Sequence, residues 1–378
     1  MNHLELRPEE QLKFELLASG IAIDDLAMDH IQVANGERVL TPADYASTSG
    51  IILRLDGHVW VNVPIATYNP NFVSAPSFTL TADTEGLRVV GNGFSVAAKF
   101  WLPPDYHGRT NSRGDPHSMY AFTHGDRVRV APITGCAYTC KFCNLPYEFR
   151  YRRKDVEGIV EAIETARVDP VQPARHVLIS GGTPRPEHYD FLREVYESVI
   201  VSFPDIPVDI MMVPIAEVLD VEWLAGLGVH ELSINLEVYN DEIAKRLMPH
   251  KHRQGRDHLL EFVRHASSVL GSGRIRSMLM VGVEPMEDTL AAVSALVEAG
   301  CVPVLSPFRP DPSTPMRDAE PPSGQLLRET YMRAQEITKA SGTALGPECG
   351  PCSHNTLTLV GPQANAQDEK LYDGPRLV

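Results

Sequence analysis

The chain has 378 residues, 43% hydrophobic and 22% charged, enough for a large core in two or three domains or in one barrel with an appendage. Its net charge of -15, from 49 acidic and 34 basic residues, argues against nucleic acid or any partner gripped by phosphate neutralisation. No apolar run of about 18 residues offers a membrane span, and the opening MNHLELRPEE lacks the basic start and apolar run of a secretory signal, so a cytoplasmic protein is expected.

Pro8 to Ser19 predicts an opening helix, with proline and acidic residues in its first turn and Gly20 past its end, at the periphery of the fold. Short β-rich runs then fill residues 37–102: RVL, GIILRL and HVWVNVPI about the Asp56-Gly57 turn, SFTLTA, LRVV, and FSVAAKFWL about Gly91-Asn92-Gly93. These predict a small, mainly antiparallel N-terminal domain within residues 1–115. PPDYHGRTNSRGDP has the proline, glycine and polar content of a linker.

From about residue 125 to 342 strand and helix patterns alternate: RVRVAPI, HVLIS, VDIMMV, ELSINLE, RSMLMVG and PVLSPF, each followed by a helical segment. The helices start near Asp155, Pro186, Ile215, Glu287 and Ser323, and the one after ELSINLE, the fourth, is a long helical stretch to Leu270. Six βα units predict an α/β fold with a parallel (β/α)6 TIM-like barrel, full or partial, and a C-terminal extension over residues 343–378. Chemistry in such barrels sits in the loops after the strands.

TGCAYTCKFCNLPYE follows the first barrel strand, and three of the chain's 6 cysteines, Cys136, Cys140 and Cys143, fall in it as C-x3-C-x2-C. Three soft thiolates on one loop can hold three corners of an iron-sulfur cubane and leave the fourth iron open. Structural zinc is the competing reading; it needs four closed ligands, and His117 and His124 lie on the far side of a strand.

The motif, the aromatic Phe142 before its last cysteine and the βα order resemble the radical S-adenosylmethionine (SAM) superfamily. The resemblance implies a [4Fe-4S] cluster on the three cysteines, with SAM chelating the open iron. Electron transfer into the sulfonium then yields a 5'-deoxyadenosyl radical that abstracts a substrate hydrogen. It assigns Tyr138 and Phe142 to cofactor binding, Phe142 beside the adenine, and gives Ser180-Gly181-Gly182-Thr183 after the second strand to the SAM amino group; a plain tight turn is the alternative there.

In the fourth strand Ser233, Asn235 and Glu237 alternate with apolar residues, which fits a polar face toward a ligand-filled lumen or toward solvent. By resemblance to biotin synthase and lipoyl synthase, Asn235 or Glu237 would meet the SAM ribose, Gly282 and Glu284 would lie on its adenine side, and Arg246 is the arginine of the basic run Lys245, Arg246, His250, His252, Arg253 assigned to its carboxylate. Arg309, with Asp311, stands at the sixth strand end either as a cation for a substrate carboxylate or phosphate or as half of a solvated ion pair in a proline-stiffened loop.

Cys349 and Cys352 form a C-x2-C pair beyond the last helix. With Cys301 or His354 they could complete an auxiliary cluster or zinc site; one thiol could return a hydrogen atom to a substrate radical; or they are a reduced pair in a turn. No cysteine precedes Cys136, and none lies in strands two to five, so the second clusters of lipoyl synthase and biotin synthase have no ligands. A small-molecule substrate and an electron donor such as flavodoxin or ferredoxin are expected. The rivals are a peptide or protein substrate, a non-catalytic iron-sulfur sensor, and cleavage to a 3-amino-3-carboxypropyl radical.

Overall fold

The computed structural model describes residues 6–36, 40, 50–67, 69, 72, 75–361 and 377–378. Helix α1 (Pro8–Ser19) has Glu9 and Glu10 at the positive end of its dipole and ends at Gly20, φ 71°. It is not peripheral. Leu12, Phe14, Leu16 and Leu17 are fully buried, and the Phe14 ring lies 5.4 Å from that of Tyr331, because α1 is held between the N-terminal sheet and the last barrel helix.

Strand β1 (Ala22–Ile23) leads to α2 (Asp25–Ala34), a helix that the sequence reading does not include; the Asp24 side chain caps it by accepting from Ala27 N at 2.9 Å. Strands β2 (Gly50–Leu55), β3 (Val59–Pro64), β4 (Thr79–Asp83), β5 (Gly86–Gly91) and β6 (Phe94–Phe100) follow. Together they form one sheet ordered β1-β4-β5-β6-β2-β3, antiparallel except at β1–β4. Asp56 and Asn92 turn the two expected hairpins at φ 43° and 47°, a conformation that these short polar side chains tolerate. Of the RVL run, Arg38 and Val39 lie outside the described residues.

The proline-rich stretch after β6 is packed rather than extended into solvent: Tyr106, His107, Asn111 and His117 are buried, and Tyr106 N donates to Asp169 Oδ2 at 2.8 Å. Strand β7 (Ala121–His124) then turns back antiparallel into β8 (Arg127–Val130), the first barrel strand.

Beyond β8 come β9 (Ile133–Thr134), α3 (Leu145–Glu148), β10 (Arg152–Arg153) and α4 (Val156–Arg167), then β11 (His176–Ser180), α5 (Tyr189–Ser202), β12 (Val208–Met211) and α6 (Val221–Leu227). Next are β13 (Glu231–Ser233), α7 (Asp241–Leu247), α8 (Pro249–Gln254) and α9 (Arg256–Leu270), followed by β14 (Ile275–Val281), α10 (Met286–Glu298), β15 (Val302–Pro307) and α11 (Gly324–Ala340). The main sheet runs β7-β8-β11-β12-β13-β14-β15, and its last six strands are parallel and sequential. It is an open partial (β/α)6 barrel.

Two expectations change in detail. The single long helix to Leu270 is three helices, broken at Met248, which precedes Pro249, and at Gly255, φ 90°. The third helix begins only at Val221, capped by Asp220, because Ile215 to Leu219 form a turn.

The open edge of the barrel, between β15 and β7, is covered by residues 346–358. Gly346 N and Leu357 N donate to Pro303 O and Leu305 O at 2.9 and 2.8 Å, while Pro351 packs against Gly125 in the β7–β8 turn. The same segment reaches the N-terminal sheet and helix: Asn62 N donates to His354 O, and buried Lys13 donates to Ser353 O and Thr358 O at 3.0 and 2.6 Å. One apolar core therefore runs through both units.

Candidate functional site

The cysteine loop leaves the barrel after β9 and returns through β10, and these two short strands pair as a neck, Thr134 opposite Arg152 and Ile133 opposite Arg153. Gly135 starts the excursion at φ 73°. A side chain there would press on the Phe149 carbonyl and Tyr151 backbone, so glycine is needed for the conformation and for the space.

Gly182 has the tightest surroundings. A Cβ on it would lie 1.7 Å from Gly135 O and 2.7 Å from Cys136 Cα, so the glycine-rich turn after β11 is pressed against the root of the cysteine loop. Gly181 meets Ile133 O more loosely, at 3.2 Å. Thr183 N donates to Cys136 Sγ at 3.1 Å, Tyr138 N donates to the same sulfur at 3.3 Å, and Ala137 N donates to Thr183 O at 3.0 Å. Ser180 is buried, and its Oγ accepts from Arg129 Nε at 2.8 Å.

All three cysteines are free; Cys140 is buried and the other two half-buried. Burial pushes the Cys140 thiol up to about 12 and the Cys143 thiol up to about 11, and Glu237 adds to both shifts. Without metal these are neutral thiols at neutral pH, and a metal ion must displace their protons. Soft sulfurs on one braced loop, one of them receiving two backbone N–H groups, fit an iron-sulfur cluster.

Phe142 packs with Cys140, Val238, Ala244 and Met248, and Tyr138 stacks on His250 with ring centroids 5.1 Å apart. The cation that reaches the loop is not Arg246, which is exposed on α7, but Lys251 on α8. Its Nζ is 2.8 Å from Glu237 Oε2 and donates to Asn235 O at 3.2 Å. Burial pulls the Lys251 pKa down, yet the Glu237 carboxylate, joined by Cys140 and Cys143 in their thiolate forms, outweighs it, so the ammonium is held above its ordinary range. Lys251 and Arg129 are the two basic residues that sequence reasoning missed; the only available signal was their location, in a basic run and on a strand facing the lumen.

The fourth strand is not the straight alternating ladder expected. Regular pairing stops after Ser233, and Glu237 takes φ 66° before bridging Leu279. Side chains replace backbone partners in between: Asn235 Oδ1 accepts from Met278 N at 3.1 Å and from Ser233 Oγ at 3.0 Å, and Ser277 Oγ accepts from Leu236 N at 2.9 Å. Glu284 is also committed to the fold, its Oε2 accepting from Tyr239 N and Asn240 N at 2.9 and 2.8 Å. Gly282, φ 101°, lies against the Pro322 ring. Arg309, half-buried just beyond the end of β15, has its guanidinium on the Asn62 side chain and on Asn62 O of β3; burial of that group lowers its pKa to about 9.

Cys349 and Cys352 are far from this rim. They lie within bonding distance of each other beside Asp126, which precedes β8, and His176, the first residue of β11. Neither Cys301 nor His354 joins them, because Cys301 is buried at the start of β15 and His354 turns toward His124. Four residues of strand, about 13 Å, separate His176 from the rim at Ser180, so a hydrogen atom has no direct route from this pair to a substrate there.

Residues 130–296 match the family model described as Radical SAM superfamily. This part of the chain is a radical SAM domain. The matched region begins at the end of β8, includes the cysteine loop, the glycine-rich turn and Lys251, and ends within α10. Such a domain implies a [4Fe-4S] cluster and SAM.

Among solved structures, the chain is similar to a radical SAM methyltransferase from Sphaerobacter thermophilus, with 16% identity, 72% of this chain and 77% of that one covered, and a TM-score of 0.46. It is also similar to the FeFe-hydrogenase maturase HydG from Carboxydothermus hydrogenoformans (16%, 59% and 54%, 0.44) and to coproporphyrinogen III oxidase from Escherichia coli (16%, 58% and 54%, 0.42). The alignment spans about half the length of each of the latter two. Comparison with curated proteins gives no match. No helix among the described residues is long and apolar enough to cross a membrane.

Proposed function

We propose that this radical SAM enzyme holds its cluster on Cys136, Cys140 and Cys143 and abstracts hydrogen from a small molecule. The observation that carries the assignment is the cysteine loop itself, zipped at its neck by β9 and β10 and braced by Gly182 at the C-terminal rim of the barrel. When bound, the reduced cluster and SAM supply a 5'-deoxyadenosyl radical.

The protein's own part is placement and charge. Thr183 and Tyr138 hold Cys136 Sγ through their N–H groups, while Lys251 offsets the negative charge that three thiolates and Glu237 gather. A narrow cleft lined by Val213, Pro214, Leu236, Val238, Met248 and Lys251 lies behind the loop, where Val238 and Met248 pack against Cys140. Two contacts bring the N-terminal unit over the rim beside β15, Arg309 to Asn62 and Asn69 Nδ2 to Pro310 O at 2.7 Å, which favours a small enclosed substrate over an extended peptide. The electron comes from a low-potential donor of the flavodoxin or ferredoxin kind.

Anaerobic reconstitution, reduction in the presence of SAM and product analysis test the reading. 5'-Deoxyadenosine is expected above a Cys140→Ala control. Its absence from protein with full iron content overturns the mechanism, and 5'-methylthioadenosine in its place moves the cleavage to another carbon-sulfur bond.

A further inference from the structure

We propose that Asp126, His176, Cys349 and Cys352 hold one zinc ion, forming a structural site at the end of the barrel opposite the cysteine loop. One ligand atom from each of these residues lies within 4.8 Å of all the others. Zinc bonds of about 2.3 Å to sulfur and 2.0–2.2 Å to nitrogen or oxygen give a tetrahedron with edges of roughly 3.3–3.8 Å. Four of the six edges are already close to that. His176 Nε2 is 3.2 Å from Cys352 Sγ and 3.3 Å from Asp126 Oδ1, which is 3.7 and 3.8 Å from the sulfurs of Cys349 and Cys352. The site takes the ion in its dithiol form: the two sulfurs part, two thiol protons leave, and no oxidant or reductant takes part in binding.

The donor set selects the metal. Two thiolates and an imidazole exclude magnesium and calcium, which want oxygen, and four protein ligands leave no open position for chemistry. Iron-sulfur clusters take three or four cysteines, or two cysteines with two histidines, and this site offers two cysteines and one histidine. Cys352 N donates to Cys349 Sγ at 3.2 Å, so one sulfur already receives the kind of N–H bond that stabilises a thiolate. Asp126 and Cys352 are buried and the other two ligands half-buried, as a closed site requires.

The ligand loops are shaped to face each other. Gly125, φ 63°, precedes Asp126, and a side chain there would strike Pro351 at 2.8 Å, so the absence of one allows the C-x2-C turn to seat beside the β7–β8 turn. Two other groups of acids and histidines have a different character. Arg276 pairs with Asp209 and Glu231 beside His230, and Arg7 pairs with Glu9 beside His58, so in each a guanidinium already supplies the cation. Zinc at the cysteine site would tie the segment that covers the barrel seam to the starts of two strands far away in sequence, a loop closure that stabilises the folded state.

Metal analysis of the full chain, expressed with zinc and iron and purified anaerobically under reductant, tests the site. Zinc near one per chain is expected. It should be lost in Cys349→Ser/Cys352→Ser and reduced in His176→Gln while iron stays unchanged, whereas Cys140→Ala should lose iron and keep zinc. Should the ligand variants not fold, cobalt bound to a chain whose three rim cysteines are serines must show tetrahedral d–d bands and a thiolate charge-transfer band. The proposal fails if zinc is absent and mass spectrometry finds Cys349 and Cys352 bonded to each other despite the reductant. It also fails if the C-x2-C variant loses iron, or if cobalt gives no thiolate band.

Discussion

Lys251 and Glu237 form an ion pair of 2.8 Å, with only 13% and 12% of their side chains exposed, at the point where α8 meets the kinked end of the fourth strand. Removing one member leaves the other charge buried without its partner. Lys251→Met is expected to cost about 3 kcal/mol in urea unfolding of the metal-free chain, with the double variant Lys251→Met/Glu237→Gln recovering much of the loss. Equal stability of the single and double variants would show that the pair does not stabilise the fold.

Gly182→Ala places a methyl group where the Gly135 carbonyl now lies. The barrel should keep its far-ultraviolet circular dichroism, while the cysteine loop is pushed outward and most of the bound iron is lost on reconstitution. Gly181→Ala, facing a contact of 3.2 Å, should lose much less. Iron content and the visible absorption of the two variants, measured side by side, check the contrast.

Lys13 is buried, and burial lowers its pKa to about 7 from an ordinary 10.5. Between those values the unfolded chain carries the proton and the folded chain does not, so this residue makes stability rise with pH across that window. In Lys13→Met that rising component should vanish. The variant also removes the Lys13 donor from buried Thr358 O, at a cost of about 1–3 kcal/mol, while Ser353 O keeps its bonds from Thr356 N and Oγ1. Urea midpoints of both chains from pH 7 to pH 10 supply the comparison.

Glu284→Ala strands Tyr239 N and Asn240 N, which both point at one carboxylate oxygen. A loss of about 2 kcal/mol is expected, and Glu284→Gln, which keeps an acceptor oxygen, should recover part of it. If Glu284 instead met SAM directly, the alanine variant would bind SAM less well with little change in unfolding, and calorimetry with thermal melts separates the two outcomes.

The barrel was legible because parallel strands and amphipathic helices leave strong patterns. HVLIS has an unbroken apolar centre in Val177, Leu178 and Ile179, and Asp155 and Ser323 stand one residue before α4 and α11 as caps. The burial of α1 was hidden by Glu9 and Lys13, polar side chains that make a packed helix look like a surface one. The role of Asn235 was hidden because alternation predicts a face for a straight strand, and only the three-dimensional bend at Glu237 turns its oxygen into the ladder. Asp126 and His176 gave no signal beside Cys349 and Cys352, since strand starts far apart in sequence meet only when the sheet forms. Nothing in the run from Lys245 to Arg253 marked Lys251 as the cation that turns inward.

The segment that seals the barrel, Gly346 to Thr358, leaves the ribosome after every strand it covers. A nascent chain therefore has all three rim cysteines and all six parallel strands available while the wall between β15 and β7 is still open. Co-translational assembly thus runs in a fixed direction, with the lumen shut last by the extension that also anchors α1 and β3. A ribosome-stalled chain ending before Gly346 should be cut by protease in the barrel, and one extending past Thr358 should resist.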